Sequence, residues 1–245
     1  MRLFPLAVML PLAACSMHYG DDADAKGVAG SGSGNARRYA IADFSEVDLR
    51  GSDDVDVRVG SAFSVRAEGP SEELDTLVIE KLGPSLQIGR KPGFNLWGGG
   101  THRTVKVFVT MPRIASANLA GSGDLAIDAV EGGRFSAVSA GSGDMTIARL
   151  SVDAAALSVA GSGGIAASGG IAKRLTLSIA GSGDISAAHL KAGSAEVSIA
   201  GSGSASADVA GPATVSIVGS GDADLGRAAR CTTSKVGSGE VKCGG

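Results

Sequence analysis

From Ile114 to the end of the chain, apolar and polar residues alternate in phase with a recurring corner. The triplet Gly-Ser-Gly starts at Gly121, Gly141, Gly161, Gly181, Gly201, Gly219 and Gly237, at intervals of 20, 20, 20, 20, 18 and 18 residues. Four residues before each triplet stand Ala117, Ala137, Leu157, Leu177, Val197, Val215 and Thr233, and two before stand Leu119, Ser139, Val159, Ile179, Ile199, Ile217 and Lys235. Four residues after each start come Leu125, Met145, Ile165, Ile185, Ala205, Ala223 and Val241. The column between the first two runs Asn118, Val138, Ser158, Ser178, Ser198, Ser216 and Ser234, mostly polar. Period-two alternation on both sides of a glycine corner predicts strand, bend, strand, with one face inside.

One such coil cannot satisfy its own backbone groups, whereas a neighbour ~4.8 Å away can. Coils of 18 to 20 residues therefore predict a stacked all-β fold, a right-handed parallel β-helix, because strand-to-parallel-strand crossovers are right-handed. Glycine on both sides of the serine fits a corner that needs positive φ or close approach between coils. The alanines just before the triplets (Ala120, Ala140, Ala160, Ala180, Ala200) are expected to keep that corner thin, so that Phe in their place would overpack it. The carboxylates after it (Asp124, Asp144, Asp184, Asp222 and Glu240, with Gly164 and Ser204 in the gaps) read as turn residues that accept backbone hydrogen bonds, and no metal is predicted.

Between Tyr39 and Pro112 the alternation continues without the 20-residue period. Val47 and Leu49 lead to Gly51-Ser52-Asp53, a degenerate corner; Val55 to Val59, Phe63 to Ala67, Leu77 with Ile79, Leu86 with Ile88, and Val105 to Val109 read as further strands. Pro70 to Leu74 suits a short helical turn. From Arg90 to Arg103 the pattern breaks, and Phe94, Leu96 and the only tryptophan, Trp97, stand among glycines. This loop is the local candidate for recognition.

Residues 1–14 pair Arg2 with a short apolar run broken by Pro5 and Pro11, too short to span a bilayer, which reads as an export signal. The run ends Leu12-Ala13-Ala14-Cys15, which resembles a bacterial lipobox and implies lipid attachment at Cys15. Ser16, in place of Asp, resembles the signal for outer-membrane delivery. Residues 15–38 are Gly-, Ser- and Asp-rich and read as a flexible tether, leaving 39–245 as one domain. At the other end the inward columns finish with Thr233 and Lys235, a polar cap, and Cys231 and Cys243 share the inward parity in a compartment that permits a disulfide.

Aromatics make up 4% of the chain and the net charge is -3, without a basic run, which sets nucleic acid aside as a partner. No triad or metal-ligand spacing occurs in the repeats, so neither enzyme activity nor a cofactor is expected. The corner repeats, with Phe44 and Val47 before Gly51, Leu86-Gln87-Ile88, Val105 to Pro112 and Ile114 to Asp124, resemble the auto-transporter adhesin head family, the GIN domain. The resemblance implies a β-helix with an adhesin-like role. The expectation is a lipid-anchored envelope protein that binds an envelope protein or glycan or acts as a scaffold. The alternatives are a polysaccharide-active enzyme and a purely structural envelope protein.

Overall fold

The computed structural model describes residues 27–91 and 104–244. The long strands Ser116–Gly121, Val130–Gly141, Leu150–Gly161, Gly170–Gly181, Ile185–Gly201, Pro212–Gly219 and Arg230–Gly237 pair in parallel, each with the next. Ala117 lies opposite Ala137, and the same column runs on through Leu157, Leu177, Val197 and Val215 to Thr233. Past each corner a second stack forms from Leu125–Ile127, Met145–Ile147, Ile165–Ala167 and the strands that follow. The fold is a parallel β-solenoid. Its core is the set of inward columns: Leu119, Leu125, Met145, Leu157, Ile165 and Leu177 are all buried. Ser139 is the polar exception in these columns and is buried, with its hydroxyl donating to the Gly143 carbonyl at 3.0 Å.

The two glycines of the corner serve different needs. Gly141 has φ of 134°, which only glycine adopts cheaply, whereas Gly143 has no such φ. A Cβ on Gly143 would run into the Gly123 carbonyl of the coil beneath. The neighbouring alanines do not thin the corner, contrary to expectation: Ala120, Ala140, Ala160, Ala180 and Ala200 are exposed. They fall on the outward parity, one residue from the inward column. Ala160→Phe is therefore expected to change stability by less than about 0.5 kcal/mol, while Leu157→Ala costs about 2 to 5 kcal/mol; urea unfolding of the two variants measures the contrast.

The coils do not stack in chain order at the N-terminal end. Glu46–Gly51 pairs in parallel with Ser116–Gly121, Gly51 opposite Gly121, and on its other side with Ser85–Arg90. Asp54–Val59 likewise lies between Leu125–Ile127 and Lys106–Met111. The degenerate corner is thus a genuine coil, and the residues that follow it turn back to build the rung beyond it. Antiparallel strands close that end: Leu77–Leu82 pairs with Ser85–Arg90, Ser64–Glu68 with Lys106–Met111, and Ala36–Tyr39 with Ser64–Glu68. The helical turn is Ser71–Leu74, entered from Pro70 and burying Leu74.

Residues 27–38, which composition assigns to the tether, are structured, and residues 15–26 lie outside the described residues. The Val28 N–H donates to the Ile79 carbonyl at 2.8 Å, Ser31 bridges Arg38, and Ala36–Tyr39 is a strand. Residues 27–38 are held by backbone pairing, which a Gly- and Ser-rich composition permits even though it supplies little apolar surface to bury. At the opposite end, among the described residues, Arg230–Gly237 pairs on one side only, Thr233 and Lys235 are exposed, and the Lys235 ammonium donates to the Gly239 carbonyl at 2.6 Å.

Candidate functional site

The first coil departs from the corner motif at one atom group with large consequences. Where later coils carry the second glycine, it carries Asp53, and this carboxylate is fully buried. Arg90 meets it as a fork, Nε donating to Oδ2 at 2.8 Å and Nη2 to Oδ1 at 2.6 Å. The Val105 N–H also donates to Oδ1, at 3.0 Å. Arg90 Nη1 donates to Glu73 and, at 3.1 Å, to the Thr76 hydroxyl. The hydrogen bond to Asp53 raises the Arg90 pKa further above its ordinary range, opposed by burial and reinforced by Glu73. A buried carboxylate is tolerated when its lone pairs are met in this way. Arg90 and Val105 flank the 92–103 stretch on either side, so a single carboxylate ties both of its stems to the solenoid.

Cys15, Phe94, Leu96 and Trp97 lie outside the described residues. Cys231 and Cys243 are joined as a disulfide with Cα atoms 6.2 Å apart, half-buried against the last of the core. The bridge ties the one-sided terminal strand to the end of the chain. Replacing both cysteines with serine is expected to lower stability by about 2 kcal/mol and to speed amide exchange first in Arg230–Gly237, read by peptide-resolved hydrogen exchange.

The post-corner carboxylates accept backbone hydrogen bonds, though not within their own turn. Asp124 Oδ1 takes the Asp144 N–H at 3.2 Å and Asp144 Oδ1 takes the Gly164 N–H at 2.7 Å. Asp184 does the same for Ser204 and Asp222 for Glu240, each at 2.7 Å. They form a ladder in which each aspartate holds the next coil, interrupted where Gly164 and Ser204 stand in the column. Among the described residues no three His, Cys, Asp or Glu are grouped to hold a metal ion.

A groove of about 200 Å³, not foreseen from the sequence, opens at the N-terminal end of the same face, lined by Asp56, Arg58, Ser64, Arg66, Phe108 and Thr110. Period two places it: Val107 and Val109 point inward, so Phe108 must point out. The Arg66 guanidinium lies 4.5 Å from the Phe108 ring centre and the Lys106 ammonium 5.6 Å from it. Arg66 pairs with Glu68 at 2.5 Å and Lys106 with Asp56 at 2.9 Å. The signal in the sequence was an aromatic on the outward parity of an otherwise aliphatic strand.

These features define a β-solenoid with an aromatic and charged groove near its capped end. The chain belongs to the family described as "Putative auto-transporter adhesin, head GIN domain", whose model matches residues 43–229. Membership gives it an adhesin-like role at the cell surface or envelope. Solved structures share the fold. A protein named as a putative adhesin from Bacteroides fragilis superposes with a TM-score of 0.78 at 19% identity, over 89% of this chain and 100% of that one. A second putative adhesin, from Parabacteroides distasonis, gives 0.67 at 21% identity over 88% and 99%. A protein from the same organism named as a putative lipid binding protein gives 0.62 at 23% identity over 87% and 98%. No curated protein sequence matches the chain.

Proposed function

We propose that this is a lipid-anchored envelope protein, held in the outer membrane through Cys15, which binds a protein or glycan partner without catalysing a reaction on it. The observation that carries the reading is membership of the adhesin head family over residues 43–229. The lipobox-like Leu12-Ala13-Ala14-Cys15 supports the anchor. The Phe94, Leu96 and Trp97 stretch, with both stems tied to Asp53, is the recognition segment in this reading.

Cells producing the native chain or its Cys15→Ser variant test the proposal. The native protein is expected in the outer-membrane fraction with covalently bound fatty acid, and its cells to adhere to a partner surface. The variant should be found in the soluble fraction with adhesion lost. Native protein recovered without fatty acid would refute the anchor, and equal adhesion by both strains would refute the anchored adhesive role.

A further inference from the structure

We propose that the groove between Arg58 and Phe108 is a subsite for an acidic sugar residue, a uronate within a polysaccharide; this rests on the binding role above and names its ligand class. The groove faces outward across three adjacent strands, Ser64–Glu68, Lys106–Met111 and Asp54–Val59, and holds about 200 Å³. Its cations are not equivalent. Lys106 is neutralised by Asp56, and Arg66 is tied by one nitrogen to Glu68 while lying over Phe108. Arg58 is exposed and, among the described residues, has no carboxylate partner within 4 Å. Two further acids near it are engaged with backbone: Asp128, on the next coil, accepts the Val59 N–H at 2.9 Å, and Asp54, on the same strand as Arg58, accepts the Asp124 N–H at 3.2 Å.

Arg58 is therefore the group free to take an anion, and a guanidinium takes a carboxylate by two parallel hydrogen bonds. The rest of the lining decides which anion. Asp56 offers a carboxylate acceptor that sulfate, having no donor, cannot use, and the hydroxyls of Ser64 and Thr110 can donate or accept, so a ligand with both a carboxylate and hydroxyls uses the lining more fully than a bare anion. A sugar acid supplies both halves, a carboxylate for Arg58 and hydroxyl donors for Asp56, Ser64 and Thr110. Arg66, held flat by the Phe108 ring and by Glu68, presents a fixed further donor edge that loses little freedom on binding.

The test uses the full chain in detergent, titrated calorimetrically with a trigalacturonate, a hyaluronan tetrasaccharide, the methyl ester of the first, inorganic phosphate and phosphatidylglycerol vesicles. At least one uronate probe is expected to bind, with the methyl ester at least tenfold weaker and neither phosphate nor vesicles competing. Arg58→Met should weaken the uronate at least tenfold with an unchanged melting curve, since Arg58 supports no other group. Binding of neither uronate probe, ester or phosphate binding equal to the acid, competition by the vesicles, or indifference to Arg58→Met each overturns the proposal. Adhesion of the native strain that persists alongside such a result would show that the ligand class is wrong and the adhesive role is not.

Discussion

Arg90→Met is expected to destabilise the protein by about 3 to 5 kcal/mol, the cost of leaving a buried carboxylate without its counter-charge. Asp53 is fully buried and takes two hydrogen bonds from Arg90; after the substitution only the Val105 N–H would remain on Oδ1. Asp53→Gly should cost less, because it restores the Gly-Ser-Gly corner of the other coils and leaves Arg90 with Glu73 and Thr76. In the double variant the fully buried Asp53 charge is gone, leaving only Glu73 to lose its contact with Arg90, so its loss should be smaller than that of Arg90→Met alone. Urea unfolding of the three variants gives the coupling directly. A double variant as unstable as Arg90→Met would mean that charge pairing is not what the cluster contributes.

The repeat was legible in the sequence because it imposes the same constraint many times. Ala117, Ala137 and Leu157 share a column whether or not the coils have been seen, and the corner at Gly51 could be recognised from its resemblance to the one at Gly121. What the alternation could not show was the order of stacking. Residues 46–59 and 116–127 are neighbours in space although the chain between them builds a further rung and a cap, and nothing local in Val55 to Val59 records which strand lies on either side. The Ala160 column was misread for a similar reason: a small residue beside a tight corner suits either side of the wall, and only its odd parity relative to Leu157 and Val159 places it outside. Asp53 looked like a degenerate glycine, since its partner Arg90 stands 37 residues away. The Phe108 groove was within reach of period two but needed three strands brought side by side before its charges could be matched.

Gly163→Ala is expected to cost about 3 kcal/mol, the upper end of what a single added carbon does in a packed interior. Its φ is not in the positive region, so the substitution adds no backbone strain of that kind and tests close approach alone. The new Cβ would collide with the Gly143 carbonyl oxygen and lie 2.9 Å from the Ser142 carbonyl carbon. Both are backbone of the coil beneath, which is held close by the Gly163 N–H donating to the Gly141 carbonyl at 3.0 Å. Neither can rotate away as a side chain would, so the two coils must separate and strain the ladders on either side. Gly239→Ala meets the same obstacle in the Gly221 carbonyl, but among the described residues the coil of Gly239 is paired on one side only, so it can tilt outward. The same methyl group should therefore cost only about 1 kcal/mol there. Ser162→Ala, on an exposed side chain between the two glycines, should stay within about 0.5 kcal/mol. Thermal unfolding of the three variants reads the gradient. Equal losses at Gly163 and Gly239 would show that the corner's tolerance is set within each coil and not by the coil against which it is stacked.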